Sequence, residues 1–117
     1  MEVLFLGTSG AGITPTRNLP SIIVNRSILF DCGEGCLAAL YKHNIRLEQI
    51  KAIFISHVHA DHILGLISIL YKAAFYTPFP TDPLEERRSC PIFVPSGSGE
   101  HIRQIIKATY STFEKVK

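Results

Sequence analysis

No uninterrupted apolar run in this sequence approaches the roughly 20 residues that a helix needs to cross a bilayer. The three cysteines, Cys32, Cys36 and Cys90, are odd in number and unevenly spaced, so no disulfide framework is suggested. Cys32 and Cys36 stand four apart, but no second close pair completes a cysteine metal site, and reduced, buried thiols are expected. Internal repeats, low-complexity tracts and linkers are missing. Strong charge of either sign is missing too: the net charge of +2 neither demands nor excludes nucleic acid. At 117 residues the chain can form one compact domain and is too short for two, and its 46% hydrophobic content excludes a disordered chain. Met1 to Leu6 lacks a basic flank and runs into Gly7. It reads as a strand rather than a signal peptide, which makes the cytoplasm the expected setting.

What is present is a series of short strands followed by alternating strands and helices. Glu2 to Leu6 is a buried strand, and Thr8 to Pro20, with its glycines and prolines, is a loop. Ser21 to Val24 and Ser27 to Phe30 are β-rich runs around Asn25-Arg26, the pattern of a hairpin. Cys36 to His43 reads as a helix, Arg46 to Ile50 as a helical turn, and Ala52 to Ser56 as a strand apolar on both faces. Asp61 to Phe75 is a buried helix, Thr77 to Ser89 a solvated loop, and Pro91 to Val94 a short strand. From Gly99 to about Phe113 an amphipathic helix places Ile102, Ile105, Ile106 and Tyr110 on one side. The expected class is α/β, a mixed sheet with helices on one face. Such a sheet leaves its other face apolar and uncovered.

Chemistry concentrates in His57-Val58-His59-Ala60-Asp61-His62, where three of the five histidines fall within six residues. The run follows a strand and opens a helix. In extended chain, residues two apart share a side, so His57 and His59 can converge on one ion while Asp61 and His62 face a second. Imidazole suits zinc; a carboxylate suits zinc or a harder ion such as manganese. Two ions roughly 3.5–4 Å apart can hold a hydroxide and stabilise both oxygens of a displacement. A lone histidine is usually structural, and His43 and His101 are read that way. Glu34, near a helix start, has a capping and dipole explanation. The Gly7 to Gly12 stretch can bring backbone N–H groups to a phosphate, although Gly-rich turns are usually only turns. Arg17 is equally suited to an RNA phosphate or to solvent.

The spacing His-x-His-x-Asp-His resembles the metallo-β-lactamase superfamily. Within it the chain looks like the ribonuclease Z branch, the tRNA 3′-processing endonucleases. The supporting stretches are Phe5-Leu6-Gly7-Thr8-Ser9, Arg17-Asn18 before Ser21, Phe30-Asp31-Cys32-Gly33-Glu34-Gly35, and Ser56 through His62 with Gly65-Leu66. The resemblance implies an αββα sandwich and two divalent ions, zinc or manganese. His57 and His59 would hold the first ion, Asp61 and His62 the second. Asp61 would also orient or deprotonate the attacking water. Asp31 would support a ligand histidine, and Ser9, Arg17 and Asn18 would meet substrate. The implied reaction is hydrolysis of a phosphodiester in precursor tRNA by a metal-activated hydroxide.

The chain also departs from that pattern. The later ligands of the family, two histidines and an aspartate, have no counterparts after His62 in fitting contexts. Residues 1–117 therefore look like the N-terminal half of such a domain, and association with a missing half or a second copy is expected. Pro15-Thr16-Arg17-Asn18 is shorter than the family's loop and lacks its lysine. Two alternatives follow: a hydrolase of a small phosphodiester, lactone or thioester, and an inactive fragment or split half that needs a partner.

Overall fold

The computed structural model describes residues 1–9, 15, 19–75 and 90–109. The strands are β1 (Val3–Gly7), β2 (Ser21–Val24), β3 (Ile28–Phe30), β4 (Ala52–Phe54) and β5 (Ile92–Phe93). The helices are α1 (Cys36–Lys42), α2 (Ala60–Phe75) and α3 (Gly99–Thr109), with a 3-10 turn at Leu47–Gln49. The strands lie in sequence order in one sheet. β1–β2 and β2–β3 pair antiparallel, while β3–β4 and β4–β5 pair parallel. The sheet is mixed, as the sequence led us to expect.

The Asn25-Arg26 hairpin forms because both residues adopt left-handed backbone, at φ 52° and 55°, as the turn that matches strand twist requires. Asn25 Oδ1 accepts the Glu2 N–H at 2.9 Å, and Arg26 Nη2 donates to the His43 and Asn44 carbonyls at 3.0 Å each. One turn thereby holds the first strand and the end of α1. At the other end of α1, Gly35 is the cap at φ 87° and no side chain caps the helix. The capping role expected of Glu34 is therefore not made: Gly35 turns the chain before the first helical residue, and Glu34 is left outside and exposed.

Three strands are shorter than the sequence suggests: β3 lacks only Ser27, and β4 and β5 are cut for local reasons. Ile55 N–H still reaches the Phe93 carbonyl at 2.8 Å, but Ser56 N–H leaves the ladder for Asp31 Oδ1 at 2.8 Å. Pro91 has no N–H to donate, although its carbonyl accepts from Ile53 at 3.0 Å. The loop expected at Thr77 to Ser89 and the last part of the final helix, with Tyr110, lie outside the described residues.

Strand register separates the two faces of the sheet. Leu4, Ile23, Leu29, Ile53 and Ile92 are cross-strand neighbours in one row. That row joins Ala39 and Leu40 of α1, Ile63, Leu66 and Ile69 of α2, and Ile102 of α3 in a single core. The adjacent row is Phe5, Ile22, Phe30, Phe54 and Phe93. Its phenylalanines are 60%, 40%, 37% and 50% exposed in chain order. Phe54 stacks on Phe30 and Phe93 with ring centroids 5.3 and 4.7 Å away. Among the described residues, nothing covers this face.

α2 is packed against the loop after β3 so closely that only glycine fits at one contact. A Cβ on Gly65 would come within 2.1 Å of the Gly33 carbonyl oxygen and 2.9 Å of that of Cys32. Gly65 N–H donates to the Cys32 carbonyl at 2.8 Å, so the approach also carries a hydrogen bond. Gly65→Ala is expected to destabilise the fold by about 1–3 kcal/mol or more, because both obstacles are backbone. Denaturant titration measures this, and a variant as stable as the parent would contradict the contact.

Cys32 and Cys36 are both free and buried, as read from the sequence, while Cys90 is free and exposed. The Cys32 thiol is pushed well above its ordinary range, chiefly by its hydrogen bond to Cys36 and then by burial. At pH 8 it stays protonated, so iodoacetamide should label Cys90 first in the folded protein and leave Cys32 unmodified. Mass spectrometry showing Cys32 alkylated as fast as Cys90 would refute that order.

Candidate metal centre

β1, β3, β4 and β5 all run in one direction, since β2 alone is antiparallel to its neighbours. Their C-terminal ends open at one edge of the sheet, the edge where α/β proteins place ligands. Residues far apart in sequence leave the sheet there: Ser9 after β1, Asp31 after β3, and Ser56 to His62 after β4. β3 and β4 are direct neighbours, and so Asp31 meets the histidine run.

His57, His59 and Asp61 each offer a ligand atom, and these atoms lie within 4.8 Å of one another. Two imidazoles and a carboxylate are a known zinc donor set, and such bonds are about 2.0–2.2 Å long. His57 and His59 are exposed and Asp61 is half-buried. Edge-on contact between the His57 and His59 rings, with centroids 4.7 Å apart, keeps the pair together.

His62 completes the group from the first turn of α2. Its Nε2 is 3.4 Å from Asp61 Oδ2, and its Nδ1 is 3.0 Å from Asp31 Oδ2. The His57 and His62 ring centroids are 3.9 Å apart. The sequence divided the four residues into two pairs. In the structure Asp61 reaches both sides, standing with His57 and His59 and also beside His62.

Asp31 holds left-handed backbone at φ 61°, which an aspartate tolerates better than most residues. The turn directs its carboxylate back over the end of β4. Oδ1 accepts the Ser56 N–H and Oδ2 the Ser56 O–H, each at 2.8 Å. Ser56 Oγ is in turn 3.1 Å from His57 Nδ1. The loop is sewn to α2 as well, through Cys32 N–H to the His62 carbonyl at 2.8 Å. Along the sequence Ser56 is only the first residue of a motif. Its position directly before His57, at the end of a strand, was the available signal.

Ser9 lies at the same edge and is 7% exposed. Arg17 and Asn18 lie outside the described residues. His43 ends α1 in the open, and His101, on α3, lines a groove with Val58, Gln104, Ile105 and Ala108.

A mixed sheet with helices on one face, carrying this cluster at its edge, defines a metallo-β-lactamase-type fold. The human tRNase Z, short form, matches with a TM-score of 0.73 and 30% identity, over 100% of this chain and 40% of that one. YhfI of Bacillus subtilis, a metallo-beta-lactamase fold protein, shares the fold at a TM-score of 0.65, with 20% identity over 87% of this chain and 39% of that one. The family model described as "Anti-Pycsar protein Apyc1" matches residues 1–84, and the chain belongs to that family. It also resembles ribonuclease Z, as its motifs implied: the Pyrococcus furiosus protein of that name is 38% identical over 113 residues, 94% of this chain and 34% of its own length. The chain thus spans about a third of the length of the curated relatives it matches.

Asp31→Asn keeps the shape of the side chain but places an amide where the carboxylate accepts from Ser56 and His62. Loss of such support typically weakens metal binding about 10–100-fold. Competition with a chromophoric chelator in the full-length protein should show a drop of that size for zinc. Unchanged affinity would remove Asp31 from the site.

Proposed function

We propose that residues 1–117 form the N-terminal part of a metal-dependent phosphodiesterase domain that cleaves RNA, with precursor tRNA 3′ ends as its substrate. The observation that carries this reading is the convergence of His57, His59 and Asp61 within 4.8 Å at the open edge of the sheet. The relatives named ribonuclease Z and tRNase Z support the choice of substrate. The sheet's row of part-exposed, stacked phenylalanines supports a longer or associated state, because a contiguous exposed apolar patch commonly marks an interaction surface. Three free thiols fit a cytoplasmic setting.

Divalent ions, zinc or manganese, would be held by His57 and His59 and by Asp61 and His62. When bound, they supply Lewis acidity to the phosphate oxygens and lower the pKa of nearby water. The chain's own residues then position and move protons. Asp61 orients the attacking water and accepts its proton on a carboxylate oxygen. The water oxygen forms the new bond to phosphorus as the bond to the leaving ribose oxygen breaks, and that oxygen takes up a proton from solvent to leave as a hydroxyl. Asp31 and Ser56 keep the histidines facing inward. Ser9, Arg17 and Asn18 are the proposed contacts to the RNA backbone.

A hydrolase of small phosphodiesters, lactones or thioesters is the second reading, favoured by the short Pro15-Thr16-Arg17-Asn18 stretch. The full-length protein with zinc or manganese should cleave a precursor tRNA near its 3′ end, and His59→Ala should reduce cleavage to background. Turnover of a small phosphodiester, lactone or thioester with RNA left intact would move the assignment to the second reading. Tight binding of two ions by the isolated 117 residues would argue against their being a dependent part.

A further inference from the structure

We infer that Ser56 is a positioning residue that fixes the tautomer of His57, passing on the polarity of the Asp31 carboxylate so that His57 offers Nε2 to an ion. The inference rests on the metal reading above, and its core follows from counting protons. Asp31 Oδ1 accepts the Ser56 N–H, and Oδ2 accepts the Ser56 hydroxyl proton, each at 2.8 Å. A hydroxyl has one proton to donate and lone pairs to accept with. With that proton committed to Asp31, Ser56 Oγ can only accept from His57 Nδ1, 3.1 Å away. Nδ1 of His57 must then carry the hydrogen, and Nε2 keeps its lone pair.

The same carboxylate oxygen governs His62 directly. Oδ2 of Asp31 is 3.0 Å from His62 Nδ1 and can only accept there. Ser56 Oγ, 3.5 Å from the same nitrogen, adds an acceptor of the same sense. His57 is therefore held in the Nδ1–H form by Ser56 acting for Asp31, whereas His62 carries hydrogen on Nδ1 toward Asp31 while its Nε2 faces a second acceptor, Asp61 Oδ2, at 3.4 Å. A ligating imidazole commonly has its other nitrogen fixed by an acceptor in this manner, which sets ring orientation and raises basicity. Ser56 does this work without touching the ion. It also explains why Ser56 N–H leaves the strand ladder: the backbone N–H and the hydroxyl grip the two carboxylate oxygens together.

The role predicts an asymmetry that a general structural role would not produce. Ser56→Ala removes the acceptor from His57 and leaves the Asp31–His62 contact in place. Ser56→Thr retains the hydroxyl. Long-range 1H–15N correlation on the metal-free, full-length protein reads each ring directly. In the parent His57 should show the Nδ1–H pattern, and His62 should carry hydrogen on Nδ1. In Ser56→Ala, His57 should shift to a mixture while His62 stays unchanged, and Ser56→Thr should restore His57. Zinc competition should show Ser56→Ala weakened about 10–100-fold and Ser56→Thr within about threefold of the parent. An Nε2–H pattern for His57 in the parent overturns the proposal without any variant. So does a Ser56→Ala spectrum in which His57 is unaltered. A parent with the expected tautomers that binds no zinc would refute the metal reading and leave the assignment of Ser56 standing.

Discussion

The Asp31 carboxylate ties the end of β3 to the end of β4, and the site is arranged around that tie. Both of its oxygens are committed across a separation of 25 residues, to the backbone and hydroxyl of Ser56, and one also meets His62. Hydrogen bonds to an ionised acceptor are about twice as strong as neutral ones. The left-handed turn at Asp31 is a conformation that costs roughly 1–3 kcal/mol, and it persists because the surroundings over-determine it. Those surroundings are specific: Cys32 bonded to the His62 carbonyl, Gly65 bonded to the Cys32 carbonyl, and a close approach of α2 that no side chain at position 65 would permit. The first turn of α2 and the loop after β3 thus form one rigid mount for the histidines.

The mount depends on the parallel arrangement of β3 and β4, which delivers both ends to one edge of the sheet. The helices α1, α2 and α3 seal one face and give the mount a firm base. The opposite face carries a stacked phenylalanine row that remains open among the described residues. Core and open face are made by the same alternation of strand side chains, which sends neighbouring residues to opposite sides of the sheet. The curated relatives that the chain matches are about three times as long as this chain.

Sequence by itself determined the elements whose signals are local. Short apolar strands, the Asn25-Arg26 turn and the helix beginning beside Asp61 depend on neighbours in the chain, and each is present within a residue or two. The candidate metal ligands were legible for the same reason, since His57, His59, Asp61 and His62 all fall within six consecutive positions. Tertiary structure decided what those residues face. It ended β4 at Phe54 by drawing Ser56 toward Asp31, placed Asp61 between the histidines rather than with His62 alone, and made Gly35 rather than Glu34 shape the start of α1. The link from Asp31 through Ser56 to His57 crosses between two strands, and no spacing along the chain encodes it. Hydrogen bonds of that kind depend on strand order and register, which come from burying one face of the sheet as a whole.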